Sequence, residues 1–399
     1  MAQEFISGNH RLEPIWPSPG FPASTVRTAE SLGFRAGKLT GLLPRQTANR
    51  IGGLMRITSS YYSNLIEGQF TEPVTLSARV PRRDPKELRA LAESHIGVQE
   101  LLERALRRPQ SMDAPWDLFF TPELVSVIHR RLFREASDED LRLGDGHLLV
   151  PGQLRDAAQR NVLVGDHAAP AWGAVTPMLT RLQQVYGRQP DLTPRILGSL
   201  AYHHRLAFVH PFEDGNGRVV RMMTHLQLMR LGLASPLWSL SRGLALKQDE
   251  YYAHLRAADQ PRRGDLDGRG QLTQAGLFGF VEFMLQICID QMDYVEQAMD
   301  LVSLRHRLER VVGLEPRFIQ AGVKQEMAKA IHILLTQGEI LRADFKTFSG
   351  LHDRVASEQL RKLIDLGVVE ASSAKSRSIF PGLPVWFAQL IFPDLHRRF

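Results

Sequence analysis

The chain has 399 residues, of which 43% are hydrophobic and 23% are charged, and these fractions exclude disordered, collagen-like and fibrous proteins. At roughly 100 to 200 residues per domain, this length predicts two or three domains. The 49 Lys and Arg residues against 43 Asp and Glu residues leave a net charge of +6, which allows an anionic partner without requiring one.

The cysteine content and the apolar segments narrow the class of protein further. A single cysteine, Cys288, excludes an intrachain disulfide and any zinc site built from several cysteines, and its apolar surroundings predict a core position. The most apolar window, 277–289, is too short for a membrane-spanning helix of about 20 residues and predicts a buried helix. The N-terminus lacks the pattern of a secretory signal, so we expect a cytoplasmic protein without a membrane partner.

The N-terminal region combines an irregular segment with one helix. Prolines and aromatic residues dominate the first 26 residues, which predicts an extended arm lying on a domain surface. After Pro44, apolar residues recur at spacings of three and four, which predicts a helix that ends at Gly68 as its C-terminal glycine. The basic run 79–85 is typical of a loop. We assign the arm and the helix to a first unit, residues 1–75.

Helical periodicity continues through the middle of the chain, with one interruption. It runs from Lys86 to Phe133 with a break near Trp116, and it resumes at about Val175. Between these stretches, 141–177 is rich in glycine and proline around two short apolar runs. This composition predicts one or two β-hairpins inside an otherwise helical protein.

Three further helices are predicted before the pattern changes. Two of them cover 195–208 and 217–232, and one long helix runs from about 273 to 304. A change of composition near 313–316 introduces a differently built tail. The sequence therefore predicts a mainly helical central domain over 76–312.

One twelve-residue string, His-Pro-Phe-Glu-Asp-Gly-Asn-Gly-Arg-Val-Val-Arg over 210–221, lies between two predicted helices. Gly215, Asn216 and Gly217 can all adopt positive φ, so successive backbone N–H groups can converge on an anion. The helix that follows adds its free N–H groups and its dipole at the same place. The loop therefore predicts a phosphate-binding site.

The charged side chains of this string suit the same ligand. Arg218 and Arg221 share one face of the first helical turn, where two cations oppose the helix dipole and require a compensating anion. Asp214 places a carboxylate beside the phosphates, which suits a bridging Mg²⁺. His210 ends the preceding helix and can act as a general base toward an incoming hydroxyl. The set predicts phosphoryl or nucleotidyl transfer from a Mg²⁺-nucleotide, whereas a purely structural turn explains few of the twelve positions.

At every position the string resembles the HPFx(D/E)GNGRxxR signature of Fic domain proteins. The resemblance implies a mainly α fold, a Fic helical core with a short β-hairpin flap. It also implies AMPylation, the transfer of AMP from ATP to a Ser, Thr or Tyr hydroxyl of a target protein, with ATP and Mg²⁺ as cofactors. His210 would deprotonate the hydroxyl and Asp214 would hold Mg²⁺. The implied phosphate-binding residues are Gly215, Asn216, Gly217, Arg218 and Arg221.

Segments outside the signature extend the resemblance. Residues 202–205 look like the family's helix before the signature, and we place the flap, which pairs with the target segment, at 154–170. Tyr252 lies in a segment similar to the one that closes the nucleotide pocket. Contact with the adenosine is one interpretation, and an aromatic core pair with Tyr251 is the other. Self-AMPylation and a homodimer are further expectations from the family.

The predicted N-terminal helix ends in a second motif. Ser63-Asn-Leu-Ile-Glu67-Gly68 resembles the (S/T)xxxE(G/N) inhibitory motif of Fic proteins that carry their own brake. The helix dipole disfavours a carboxylate in the last turn, so Glu67 gains from a cation elsewhere. In the family this cation is the second motif arginine, here Arg221, and the carboxylate occupies the γ-phosphate position. In some relatives the same glutamate orients a water that removes AMP, so de-AMPylation is the alternative activity.

The tail predicts a separate small domain at 318–399. A helix over 324–337, two shorter helical segments and two strands near 368–380 follow in the order of a winged helix-turn-helix, a common appendage of Fic proteins of this layout. The small basic excess of the tail is weak support for duplex DNA, so DNA and protein partners both stay open. A non-enzymatic DNA-binding regulator is the alternative class. The candidate recognition helix is expected to expose Arg354, Gln359, Arg361 and Lys362, and Lys375 and Arg377 lie in the wing.

Overall fold

The structure is a computed structural model that describes residues 8–69, 73, 86–108, 113–164, 167–234 and 237–397. Within these ranges the chain forms 16 α-helices and five short strands, so the fold is mainly helical, as the sequence predicts. The basic run 79–85 lies outside the described residues.

The N-terminal arm is more deeply embedded than expected. Residues 8–22 are irregular apart from one 3₁₀ turn, yet Leu12 and Ile15 are fully buried. A helix that the sequence analysis missed, α1 (Ala23–Leu42), follows the arm. Helix α2 (Arg45–Ile66) begins after Pro44, and Gly68 beyond its end has a φ of 75°. The N-terminal unit is therefore part of the core rather than a surface extension.

The central bundle is formed by eight helices, labelled α3 to α10. They are α3 (Lys86–Leu106), α4 (Pro122–Leu132), α5 (Trp172–Tyr186), α6 (Leu192–Val209), α7 (Asn216–Arg230), α8 (Leu240–Leu246), α9 (Gln248–Asp259) and α10 (Gln274–Ala298). The break predicted near Trp116 separates α3 from α4. It occurs because Pro122 starts a new helix, and the Thr121 side chain caps it by accepting a hydrogen bond from the Leu124 N–H.

Helix α10 is the central element of the core. It packs against α1, α6, α8 and α9, and Cys288 on it is fully buried, as predicted. By length and composition α10 also resembles a membrane-spanning helix, but more than half of its most apolar window is buried inside the protein. The prediction of one helix to residue 304 is wrong. Asp300 caps a new helix, α11 (Leu301–Leu314), by accepting a hydrogen bond from the Ser303 N–H.

The predicted hairpin region contains one small antiparallel pair. Strand β1 (Leu163–Val164) pairs with β2 (His167–Ala168), inside the range 154–170 that the resemblance implies as the flap. The earlier apolar run at 147–150 forms only an isolated bridge between Arg142 and Leu148.

The C-terminal region has the predicted order of elements. It comprises α12 (Pro316–Gln320), α13 (Met327–Gln337), β3 (Ile340–Leu341), α14 (Arg342–Ser349), α15 (Asp353–Asp365), β4 (Val369–Glu370), β5 (Ser378–Pro381) and α16 (Val385–Ile391). The three strands form an antiparallel sheet in the order β3-β5-β4. This region packs along α2, where the Thr47 hydroxyl donates to the Leu335 carbonyl and the Tyr62 hydroxyl accepts from the Arg397 N–H.

Two of the four residues expected to be exposed on the candidate recognition helix are not exposed. Gln359 is buried, because its amide accepts from the Lys324 N–H (2.7 Å) and donates to the Gly322 carbonyl (3.1 Å). Lys362 is half-buried and donates to the same carbonyl. The predicted exposure of Gln359 is therefore wrong. The cations that are exposed on α15 and in the segment between β4 and β5 are Arg354, Arg361, Lys375 and Arg377.

Candidate active site

The twelve-residue string joins the end of α6 to the start of α7. His210 is the residue after α6, and its φ of 47° is one of two positive values among the non-glycine residues of the described chain. Its N–H donates to the Leu206 carbonyl at 3.1 Å. A left-handed conformation is unfavourable for histidine, and such strain often occurs at functional positions.

The loop after His210 is closed by the side chain of Asn216. The Asn216 amide donates to the Phe212 carbonyl at 2.8 Å and accepts from the Phe212 N–H at 2.9 Å, while the Phe212 ring is fully buried. These two hydrogen bonds hold the loop rigid. The Asn216 side chain is thus used within the loop, which leaves its backbone N–H for a ligand.

The anion-binding geometry comes from the start of α7 rather than from three consecutive left-handed residues. Only Gly215 has a positive φ, of 75°, whereas Asn216 and Gly217 are the first residues of the helix. The first N–H to donate back is that of Val219, to the Gly215 carbonyl. The N–H groups of the three preceding residues therefore lack helical partners and can bind an anion.

Arg221 is bound by the end of α2. Its Nε donates to Ser63 Oγ (3.0 Å), and its Nη2 donates to the Ser63 carbonyl (2.9 Å) and to Glu67 Oε1 (2.6 Å). Burial opposes ionisation of Glu67, but the charge and hydrogen bond of Arg221 outweigh it and hold the Glu67 pKa below its ordinary value. Glu67 of the inhibitory motif and Arg221 of the twelve-residue string, which lie 154 positions apart in the sequence, thus form an ion pair.

Glu67 lies directly against the start of α7. A Cβ atom added to Gly217 would collide with Glu67 Oε1, so the absence of a side chain at Gly217 permits this close approach. The carboxylate therefore occupies the position where the helix dipole and Arg221 favour an anion.

The other arginine retains an unused donor. Arg218 is buried, its Nη2 donates to Gln69 Oε1 at 2.8 Å, and its guanidinium carbon lies 5.3 Å from the centre of the Phe133 ring. Its Nε is buried without a hydrogen-bond partner within the described structure. A buried unpaired donor is costly, and an anion at the start of α7 would satisfy it. The sequence analysis missed Gln69, which lies one residue beyond the second motif.

Asp214 is exposed beside this helix start. Its Oδ1 accepts the Gly215 N–H at 2.6 Å, and its carbonyl accepts from His129 Nε2 at 3.1 Å. Within the described ranges, no group of three or more His, Cys, Asp and Glu side chains could hold a metal ion. A single carboxylate is nevertheless what Mg²⁺ uses when substrate phosphates and water complete its shell, so Asp214 fits that cation only together with a phosphate ligand.

His129 on α4 packs against the loop 210–217 and binds it through a hydrogen bond. No sequence signal identified this residue. Its Nδ1 accepts the Gly152 N–H (2.7 Å), so the hydrogen-bond network assigns the ring proton to Nε2, which donates to the Asp214 carbonyl. Its ring stacks on Phe212 at 3.8 Å between centroids. Burial lowers the pKa of His129 to about 4, so the ring is neutral at pH 7.

His210 is also neutral at physiological pH. Burial is the main cause of its pKa of about 3, and the charges of His167 and Arg155 act in the same direction. A neutral imidazole can accept a proton, which is the first requirement for a general base.

Tyr251 and Tyr252 have different roles. Tyr251 is buried, and its hydroxyl lies 2.8 Å from His203 Nε2 in the core. The half-buried Tyr252 donates its hydroxyl proton to the Ile66 carbonyl at 3.0 Å, which anchors the last turn of α2. The two rings are neighbours at 5.5 Å, as the core-pair interpretation predicts. Adenosine contact by Tyr252 stays a prediction.

Replacement of His129 with phenylalanine is expected to lower the free energy of unfolding at pH 7 by about 1 to 3 kcal/mol, because the Gly152 N–H and the Asp214 carbonyl lose their partner. The pH dependence is a second readout. The folded pKa of about 4 lies below the unfolded value near 6.5, so wild-type stability falls as pH drops from about 6.5 toward 4. Urea unfolding across this range should show that the free energy of unfolding falls less steeply with decreasing pH in H129F than in the wild type. The difference in slope should correspond to about one proton fewer taken up on unfolding. The exposed control H306F should change neither quantity.

The comparisons with known proteins cover the same part of the chain. Residues 119–228, which include the whole string, match the Fic/DOC family. The Protein adenylyltransferase Fic of Nematostella vectensis is 27% identical over 237 residues, 57% of this chain and 47% of that protein. The protein of the same name from Aedes aegypti is 26% identical over 143 residues, 36% of this chain and 25% of that protein.

The chain therefore spans about half or less of the length of these curated relatives. Among solved structures, Fic-1 from C. elegans has a TM-score of 0.52 at 19% identity, covering 69% of this chain and 73% of that one. This comparison shows that the two chains share a similar fold.

Proposed function

Since residues 119–228 form a Fic domain, we propose that the protein is an adenylyltransferase that transfers AMP from ATP to a Ser, Thr or Tyr hydroxyl of a target protein. The observation that carries the proposal is the loop of 210–217. It sets a neutral imidazole beside a helix start with three unpaired N–H groups. The adenylyltransferase name of the curated relatives supports the same reaction class.

The chemistry follows from the positions of these groups. The triphosphate of ATP binds at the N-terminus of α7, where Arg218 and Arg221 offset its charge. His210 accepts the proton of the target hydroxyl as its oxygen attacks the α-phosphorus. The bond from this phosphorus to the bridging oxygen breaks, and pyrophosphate leaves. Mg²⁺ held by Asp214 would supply positive charge to the phosphates when bound.

Glu67 serves as a built-in brake in this proposal. The carboxylate occupies the anion position between Arg221 and Gly217, so a γ-phosphate and Glu67 compete for the same donors. ATP then binds with its α-phosphorus out of line with the incoming hydroxyl. Ser63 supports the brake, because its hydroxyl and carbonyl hold Arg221 in the pose that Glu67 uses.

Hydrolytic removal of AMP from a modified protein is the second candidate activity. The specific observation in its favour is the position of the Glu67 carboxylate, which lies against Gly217 at the start of α7, where it can orient a water toward the phosphate of a modified residue. The two activities differ in their substrate. Incubation with an AMP-modified protein without ATP releases free AMP only in the hydrolytic case.

The test of the proposal is incorporation of label from α-labelled ATP with Mg²⁺, using the full chain alone and in a lysate. Label retained on protein, with release of pyrophosphate, is the expected result. If neither the wild type nor E67G retains label in either setting, the transferase proposal is wrong.

Replacement of Asp214 with asparagine is expected to raise the Mg²⁺ concentration needed for half-maximal labelling by about 10-fold to 100-fold. The variant loses the negative charge of one ligand, while the amide keeps the hydrogen bond from the Gly215 N–H. Mg²⁺ titrations of D214N and of the exposed turn variant D138N measure the difference. An identical Mg²⁺ response in the two variants would remove the support for Asp214 as a ligand.

A further inference from the structure

Arg155 binds three consecutive carbonyls of the loop that carries His210. Its backbone N–H donates to the Pro211 carbonyl (2.9 Å), its Nε to the His210 carbonyl (2.8 Å) and its Nη2 to the Val209 carbonyl (3.1 Å). The same Nη2 donates to the Pro170 carbonyl at 2.8 Å. One side chain therefore joins the loop to both ends of the segment 154–170.

This side chain is buried without an acidic partner. Arg155 is only 2% exposed, and within the described part of the chain its hydrogen-bond acceptors are backbone carbonyls and, at 3.5 Å, the Asn161 side-chain oxygen. Burial lowers its pKa to about 10, so the guanidinium is still charged at neutral pH. Burying a cation among neutral acceptors costs free energy, which a well-packed apolar residue would avoid.

The position of the cation explains what it does to the loop. Val209 is the last residue of α6, so its carbonyl has no partner within the helix, and a cation at a helix C-terminus interacts favourably with the dipole. His210 adopts a left-handed conformation that is unfavourable for a residue with a side chain and persists only where surrounding contacts impose it. The bonds from Arg155 to the carbonyls on both sides of the His210 Cα supply such contacts.

Arg155 also fixes the position of the β1–β2 hairpin relative to the loop that carries His210. Asn161 Oδ1, which Arg155 approaches, also accepts the Trp172 N–H at 2.9 Å. The hairpin β1–β2 lies between Asn161 and Pro170, both of which Arg155 contacts. The loop that carries His210 and the segment that carries the hairpin are therefore held together by a single guanidinium.

We infer that Arg155 is a positioning residue that aligns His210 with a hydroxyl presented along the β1–β2 hairpin. This inference rests on the proposed function. Arg155 does not contact the start of α7, so it acts on proton transfer and on alignment of the attacking oxygen rather than on nucleotide binding. Neither sequence motif includes it.

The test uses E67G as background, so that labelling is measured without the brake. In E67G/R155M, kcat for AMP transfer should fall by about 10-fold to 100-fold, because a misplacement of about 1 Å has effects of that order. The KM for ATP should change less than about threefold. In E67G/R155K, which keeps a cation and part of the hydrogen bonding, kcat should recover in part. The control is R188M, since Arg188 is an exposed arginine between α5 and α6.

The pH profile separates positioning from a merely structural role. The charged and titratable groups that act on His210 are His167 of β2, Arg155, and Glu67, the residue after α2. Loss of the Arg155 charge raises the pKa of His210, so the acid limb of kcat should move to higher pH in R155M and stay in place in R155K.

Binding of a fluorescent ATP analogue to each variant shows that the nucleotide site is folded. A kcat within twofold of the E67G parent, or a rise in the KM for ATP as large as the fall in kcat, would overturn the inference. If the E67G parent itself transfers no label, the proposed function fails instead, so the two failures are distinguishable.

Discussion

Replacement of His210 with alanine is expected to reduce AMP transfer by about 10²-fold to 10⁴-fold, the range typical for loss of a general base. The physical reason is that His210 supplies a neutral imidazole, with a pKa of about 3, at the end of α6 next to the phosphate site. Alanine removes the proton acceptor but leaves the N–H groups of α7 and both arginines. The rate of label incorporation from α-labelled ATP is the measurement.

Two controls make the His210 result specific. H210A should bind a fluorescent ATP analogue with the affinity of the wild type, because no contact of the phosphate site depends on the ring. H352A, which alters an exposed histidine at the start of α15, should label at the wild-type rate. Transfer by H210A at an undiminished rate would contradict the assignment of the base.

Replacement of Glu67 with glycine is expected to increase AMP incorporation by about 10-fold to 100-fold. The ion pair with Arg221 is a part-buried, charge-assisted hydrogen bond, and contributions of about 1.5 to 3 kcal/mol correspond to that change in occupancy. Glu67 follows the last residue of α2, so glycine there does not interrupt the helix. Labelling of the protein itself and of lysate proteins measures the effect.

Two further variants determine whether the charge of Glu67 is the cause. E67Q keeps the length of the side chain but not the ion pair, so its labelling should lie between that of the wild type and that of E67G. E139G, in an exposed turn, should behave as the wild type. Equal labelling by E67G and the wild type, in a protein that does transfer AMP, would exclude the brake.

The contacts around α2 indicate what holds the brake in place. Tyr252 and Gln248 of α9 bind the Ile66 carbonyl at its C-terminal end, and the C-terminal region binds its outer side through Thr47 and Tyr62. Glu67 reaches Arg221 because these contacts fix the direction in which α2 ends. Of these contacts, those from Tyr252 and Gln248 reach a residue of the inhibitory motif, Ile66, through its backbone carbonyl.

Local patterns determined much of this protein. The helical periodicity, the glycine after α2 and the turn residues of 141–177 act within a few residues, so the mainly helical fold and the hairpin could be predicted. The string 210–221 could be recognised because the left-handed turn, the rigid loop and the helix start are all encoded within twelve positions. The domain boundaries at 75 and 318 stay predictions.

Only the tertiary structure decided which distant side chains complete the site. His129, Arg155 and Gln69 lie 55 to 149 positions from their partners in the loop, and each is an ordinary residue in its own segment. Gln359 was predicted to be exposed, but it is buried because Gly322 and Lys324 supply hydrogen-bond partners from another segment. A local pattern records the conformation of its own segment, whereas burial and pairing depend on which segments meet after folding.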